Sequence, residues 1–255
     1  MVEPWLTTAI AAVALLVLTW IVSLPTKDAS IVDVAWGLGF VVIGWVTFAL
    51  FPDDPLSAIP LAMATIWGLR LAIYIGLRKR GKGEDYRYKS MRDKAPNSFP
   101  RDSLFKVFLF QAVLLWLVSL PLQMGIAAPP SEVSPLVIAA LILWLTGLFF
   151  ETVGDWQLAR FKADPENQGR VMDQGLWRYT RHPNYFGDFC VWWGIYLFAL
   201  AGGHWWTAVG PLIMTALLMR VSGAALLEKT IGQRRAGYEE YAARTNAFFP
   251  GPPRV

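Results

Sequence analysis

Seven stretches of this chain are apolar for about as many residues as a helix needs to cross a bilayer. They cover residues 5–24, 31–51, 57–77, 104–124, 135–160, 186–201 and 205–228. About 20 residues at about 1.5 Å each span the roughly 30 Å of hydrocarbon, so each run reads as a transmembrane helix. Charged residues make up 16% of the chain and hydrophobic ones 55%, against about 25% charged in a typical soluble domain. A soluble fold of this size has no interior large enough for that much apolar surface, so lipid must be its solvent. The prediction is an all-α polytopic membrane protein, a seven-transmembrane-helix bundle forming one membrane-embedded domain over 1–255. Disorder and a coiled coil are excluded, and Cys190, the only cysteine, rules out a disulfide scaffold.

The first run carries Glu3 as its only early charge and no small-x-small cleavage pattern before Pro25, so it reads as a span and not as a leader. The sixth is the shortest and has Asp188 near its start, which a span tolerates where its first turn faces protein.

Positive charge sets the expected sidedness. The segment 78–103 holds nine Lys and Arg residues, and further cations follow in 161–185 and after 228. The alternating connections 52–56, 125–134 and 202–204 hold none, and carry Asp53, Asp54 and Glu132 instead. The N-terminus is therefore expected outside and the C-terminus in the cytoplasm. Positive-inside bias accounts for the net charge of +4, and no nucleic-acid partner is expected. Gly37-Leu-Gly39 lacks the third glycine and the strand of a dinucleotide fingerprint, and reads as close helix packing. His182 and His204 fall on opposite sides of the expected topology with no cysteine pair, so no metal is expected.

Ionisable groups within spans cost at least about 2.5–3.5 kcal/mol each on insertion scales, so they need partners or a task. Asp33, Arg70, Glu151, Asp155, Asp188, Arg220 and Glu228 form such a set, most of them toward the cytoplasmic third of their spans. Glu151 and Asp155, four residues apart, share a helix face, with Lys162 further toward the cytoplasm. A polar cavity open to the cytoplasm explains the set better than scattered ion pairs. The densest local signal runs from Gly175 to Asp188. There Pro183 keeps His182 out of helical geometry, and Asn184 is expected to cap the sixth span. With Arg178, Arg181 and His182 just ahead of a helix N-terminus, this is chemistry for a phosphate or pyrophosphate. Trp177, Tyr179 and Tyr185 offer ring faces for stacking.

Arg181-His182-Pro183-Asn184-Tyr185-Phe186-Gly187-Asp188 resembles the Arg-His-x-Asn-Tyr-x-Gly-Asp/Glu signature of NADPH-dependent membrane sterol reductases, among them the Δ14-sterol reductases and the steroid 5α-reductases. Arg220 with Glu228, then Gly232, Tyr238, Glu239-Glu240-Tyr241 and Phe248-Phe249-Pro250-Gly251, resembles their C-terminal ending. The whole layout is similar to the bacterial steroid 5α-reductase-like membrane family, including Asp33-Val-Ala-Trp36-Gly, Trp67-Gly-Leu-Arg70 and Glu84-Asp85-Tyr86-Arg87-Tyr88. The specific motifs lie within 144–251, and the first half is matched mainly by topology and a few positions.

That resemblance implies NADPH entering from the cytoplasm and a steroid-like lipid entering from the bilayer of a bacterial inner membrane. Helices over about 5–124 would face mainly the lipid substrate, and those over about 135–255, with the tail, mainly NADPH. It implies that Asn184 and Asp188 hold the cofactor, with Asp155, Lys162, Arg220 and Arg70 matching further family positions. Arg78 and Arg80 would supply cations to the adenosine end, and Trp177, Arg181, His182, Tyr185, Glu228 and Tyr241 complete the cofactor set. The implied activity is reduction of the double bond of a 3-oxo-Δ4-steroid. Asp33 stands where the steroid enzymes use a Glu to polarise the 3-keto group, one methylene shorter, and a buried carboxyl kept neutral can donate to a developing enolate. The family's tyrosine position reads as Trp67, with Tyr74 the alternative donor. Two other classes remain open: an S-adenosylmethionine-dependent lipid or isoprenylcysteine methyltransferase, which also carries Arg-His-Pro-x-Tyr-x-Gly, and a non-catalytic lipid-binding or transport protein.

Overall fold

The computed structural model describes residues 2–52, 54–221 and 237–254. Every regular element among them is helical. In chain order these are α1 (Val2–Thr26), α2 (Val32–Leu50), α3 (Ala58–Lys79), α4 (Tyr86–Lys94), α5 (Phe99–Val118), α6 (Leu120–Ala127), α7 (Pro135–Ala163), α8 (Pro183–Ala201), α9 (Val209–Ala216) and α10 (Tyr238–Arg244). Four helical stretches are long and apolar enough to cross a membrane: Pro4–Thr26, Ala29–Leu50, Pro55–Lys79 and Pro135–Ala163. A fifth is added if α5 and α6, which meet at 45°, count as one span. The protein is thus a multi-pass, all-helical membrane protein. α8 is 19 residues long, but Asn184, Tyr185 and Asp188 dilute its apolar character. The seventh run passes into a segment outside the described residues after a π-helical turn at Leu217–Val221.

The fourth apolar run departs most from the expected straight helix. It begins at Phe99, passes through a π-helical turn at Leu104–Leu109, and bends at Ser119. Pro121 has no N–H for the carbonyl four residues back and its ring crowds that carbonyl, which is the usual cause of such a bend. α8, in turn, begins at Pro183 and not at Asn184. Proline suits the first helical position, because its missing N–H would be unpaired there anyway. Asn184 is therefore the second helical residue, and its side chain is free for a task other than capping.

The chain forms two compact units, residues 1–132 with 198–210, and 133–197 with 211–255. In the first, α2 and α3 cross so closely that a Cβ on Gly37 would lie 2.6 Å from the Gly68 carbonyl oxygen, and one on Gly68 would lie 2.5 Å from that of Gly37. Gly37 is a packing glycine. Phe40, Trp67, Phe108, Leu115, Leu122 and Ile126 fill the core. Buried Gln123 accepts from the Thr8 hydroxyl at 2.7 Å and donates to Ser119 Oγ at 2.8 Å, while Trp116 donates to Thr8 at 3.2 Å. Such bonds hold helices together where no hydrophobic force acts between them. Outward, Leu6, Ile10, Leu18, Ile66 and Ile73 are exposed, as on a lipid-facing surface.

In the second unit, α7 and α8 run antiparallel through a seam of glycines spaced seven apart on each helix. A Cβ on Gly147 would lie 2.5 Å from the Gly187 carbonyl oxygen, one on Gly187 2.6 Å from the Glu151 amide, and one on Gly194 2.9 Å from the Ala140 carbonyl oxygen. Gly154 packs on Pro183 at 3.2 Å. Small residues let the backbones approach, and the approach fixes which side chains of the two helices face each other.

Candidate functional site

The glycine seam carries its own polar residues. Glu151 and Asp155 lie one turn apart on α7, Glu151 between Gly147 and Gly154 and Asp155 next to Gly154, and both are buried. Opposite them, at the start of α8, Asn184 Nδ2 donates to Asp155 Oδ1 at 3.3 Å. His182, also buried, stacks on Tyr185 with ring centroids 5.4 Å apart. Asp188 follows on α8, half-buried. Five residues singled out by sequence, Asp155, His182, Asn184, Tyr185 and Asp188, thus share one helix crossing, with Glu151 among them.

The approach to α8 is built by the loop before it and by the C-terminal tail. Trp177 is buried and its indole N–H donates to the Gly154 carbonyl at 3.0 Å, so its ring is committed to packing on α7. Tyr179 is 44% exposed and keeps an accessible ring face. The tail returns over this loop. Tyr241 O–H donates to the Trp177 carbonyl at 2.6 Å, Thr180 O–H to that of Phe248 at 2.7 Å, and the Arg181 amide to that of Asn246 at 2.9 Å. Arg181 Nη1 also donates to the Ala242 carbonyl at 3.3 Å. Burial pushes the Tyr241 phenol above its ordinary range. It therefore stays protonated and keeps its donor role. Phe248 and Phe249 close against Phe186 and Phe189.

Between loop and tail lies a cavity of about 580 Å³ lined by Asp173, Gln174, Gly175, Arg178, Arg244, Thr245, Pro253 and Arg254. Gly175 takes φ +59°, a conformation that strains any side-chain-bearing residue, and a Cβ there would meet the Gln157 side chain, so this wall of the cavity favours glycine. Arg244 is ion-paired with Asp173, and Arg254 Nη2 donates to Asn246 Oδ1 at 3.2 Å. Arg178 is exposed and makes no side-chain bond to the described residues. Lys162 and Arg220 are exposed elsewhere in this unit, and Glu228 lies outside the described residues.

The remaining residues singled out by sequence belong to the first unit. Asp33, in the first turn of α2, accepts from Arg87 Nη2 at 2.9 Å and from the Tyr88 hydroxyl at 2.8 Å. Arg87 also binds Asp85 at 2.9 Å. Burial alone would raise the Asp85 carboxyl, but bonds from the Arg87 side chain and amide outweigh it and hold Asp85 below the usual carboxylate range. Burial, then the charge of Asp33, pushes the Tyr88 phenol well above its ordinary range. The loop joining α3 to α4 is strapped to the start of α2: Glu84 accepts from the Ala29 amide at 2.8 Å and binds Arg92 at 2.8 Å, and Lys79 binds Asp28 at 2.7 Å. Asp33, Ser30, Arg78, Lys79, Lys82 and Asp85 are among the residues around a cavity of about 350 Å³. Trp67 is fully buried against Phe40, with ring centroids 5.6 Å apart. Tyr74 is half-buried under the Arg78 guanidinium at 5.4 Å, Arg70 is half-buried, and Arg80 is exposed.

Sequence reasoning passed over Tyr88 and Arg87 as partners of Asp33, although both stand in the motif that begins at Glu84. It also passed over Arg244 and Arg254, whose role depends on a chain reversal that no local pattern announces. Among the described residues no three His, Cys, Asp or Glu side chains are grouped to hold a metal.

Residues 19–245 match a family described as a protein of unknown function, DUF1295. An uncharacterized protein of Schizosaccharomyces pombe is 26% identical over 264 residues, covering 91% of this chain and 75% of its own length. No solved structure matches the chain.

Proposed function

The chain belongs to the DUF1295 family, and within it we propose an NADPH-dependent reductase of a carbon–carbon double bond conjugated to a ketone in a steroid-like lipid. The observation that carries this reading is the contact of buried Asp155 with half-buried Asn184 at the start of α8. A membrane helix that buries two acids, Glu151 and Asp155, against a polar helix start bears a cost that function most often repays. The arrangement fits a nucleotide: a helix N-terminus favours negative charge, and a pocket with three arginines lies on the loop that leads into that helix. Asn184 and Asp155 would orient the nicotinamide half through amide and carboxylate hydrogen bonds, Tyr179 would offer a stacking face, and the arginines would take phosphate.

When bound, NADPH supplies the hydride that adds to the β-carbon of the enone. The chain's own part is to polarise the carbonyl and deliver the matching proton to the α-carbon. We assign the polarising role to Asp33 together with Tyr88. The Asp33 carboxylate, held by Arg87, accepts from the Tyr88 hydroxyl and holds that phenol in place, and on substrate binding the same O–H would turn from Asp33 to the ketone oxygen. Seven spans with the N-terminus outside would place the cofactor residues toward the cytoplasm, where NADPH is found.

The test is NADPH oxidation by the purified protein in nanodiscs, screened against Δ4-3-ketosteroids, alongside mass spectrometry of co-purified ligands. Enone-dependent loss of reduced-nicotinamide absorbance supports the reading. Recovery of bound S-adenosylmethionine with no such oxidation would instead assign a methyl transfer.

A further inference from the structure

We propose that the cavity between residues 173–178 and the tail at 244–254 is a phosphate-monoester site gripped by Arg178 and Arg254. On the reductase reading, on which this last step alone rests, the monoester is the 2′-phosphate that separates NADPH from NADH. The charge count points that way. Three guanidinium groups line the cavity against one carboxylate, Asp173, which is already paired with Arg244. Arg254 is steered by the Asn246 amide oxygen and has no carboxylate partner among the described residues, and neither has the Arg178 side chain. The remaining charge of +2 matches a dianion. Guanidinium is also the side chain whose planar donors fit phosphate oxygens two at a time.

The two walls are held to one another by bonds that need no ligand. Tyr241 to Trp177, Thr180 to Phe248 and the Arg181 amide to Asn246 tie the tail to the loop. The Arg254 amide donates to the Arg244 carbonyl at 2.8 Å, which fixes the end of the tail against the end of α10. A preorganised site loses little ordering entropy on binding. Its volume of about 580 Å³ exceeds what a bare phosphate fills, so the monoester arrives attached to a larger group, a ribose or a lipid glycerol.

The experiment uses the full chain in detergent and in nanodiscs, with inorganic phosphate as the first probe, followed by 31P NMR. Wild type should broaden the phosphate signal, R178A and R254A should each weaken binding roughly tenfold, and R178K, which keeps the charge but not the paired donors, should recover only part of the loss. Affinity should fall as pH drops through about 6, where a phosphate monoester loses its second charge. Unchanged binding in the R178A/R254A double variant, or no binding in wild type, overturns the site whatever the coenzyme does. NADPH and NADH are then compared by nicotinamide fluorescence. If the double variant binds NADPH only as well as NADH, the 2′-phosphate assignment holds. If it still prefers NADPH, the 2′-phosphate assignment fails. If wild type binds phosphate but neither coenzyme, the reductase reading fails while the site stands. Retention of phosphatidic acid over phosphatidylcholine in nanodiscs, lost in the double variant, would then identify a lipid headgroup as the source.

Discussion

Replacing Gly147 with alanine should separate α7 from α8 and dismantle the polar crossing with them. The added Cβ would lie 2.5 Å from the Gly187 carbonyl oxygen and 2.6 Å from the Val191 amide, both backbone atoms with no rotamer to change. Ordinary contact begins at 3.4 Å, so the helices must part by about 0.9 Å. The Asn184–Asp155 bond, at 3.3 Å, is already near the limit of hydrogen bonding. Parting by that amount breaks it and leaves a buried acid without its amide. Overpacking of this kind costs about 1–3 kcal/mol, or roughly 2–12 °C in unfolding midpoint for a chain of this size. Scanning fluorimetry in detergent measures the shift, and nicotinamide fluorescence follows the loss of coenzyme binding. Gly76→Ala is the control: Gly76 is helical with nothing within 4 Å of a Cβ, so alanine should be neutral or stabilise by about 0.5–1 kcal/mol. If Gly147→Ala proves as stable as Gly76→Ala and binds coenzyme equally well, the close-packed seam is not what positions the site.

Three further outcomes follow from the same geometry. Asp33→Asn, which loses the charge that Arg87 holds, should lower enone turnover more than it lowers NADPH binding, measured as kcat against coenzyme Kd; equal turnover would remove Asp33 from the chemistry. Burial raises the Asp28 carboxyl, but its bonds to Lys79 and Ser30 outweigh this and hold it below its ordinary value of 3.8. Its contribution to stability is therefore present above that value and lost as pH falls below about 4, and Asp28→Asn should flatten that part of the pH–stability curve measured by scanning fluorimetry. Tyr241→Phe removes the 2.6 Å bond to the Trp177 carbonyl, which should cost about 0.5–1.5 kcal/mol and speed proteolytic cleavage of the tail while the helices stay intact.

The apolar runs located the first three helices and α7 to within a few residues, because lipid solvation imposes one length and one composition on every crossing. Helix geometry inside a run was less legible. Pro121 was visible, but a proline within an apolar segment does not say whether the helix kinks or ends, and the π-helical turn at Leu104–Leu109 has no sequence mark. Asn184 looked like a cap because it follows a proline, yet Pro183 itself opens the helix, and this is what frees the amide to reach Asp155. The acids of α7 were legible as a face, since four-residue spacing is local. Their facing of Asn184 depends on Gly147 and Gly187 meeting, forty residues apart. Asp33 stood out as an acid in an apolar span, whereas its partners Arg87 and Tyr88 lie more than fifty residues on. Their role appears only once the loop between α3 and α4 is seen strapped to the start of α2. The same holds for Arg178 with Arg244 and Arg254, which the returning tail brings together.

Whether the Asp155–Asn184 crossing holds a nicotinamide nucleotide is tested directly by native mass spectrometry of the protein released from micelles with NADPH. The expected result is a one-to-one adduct with wild type that disappears in Asn184→Ala, while that variant keeps its unfolding midpoint. An equally populated adduct in Asn184→Ala, or none with wild type, would contradict the account.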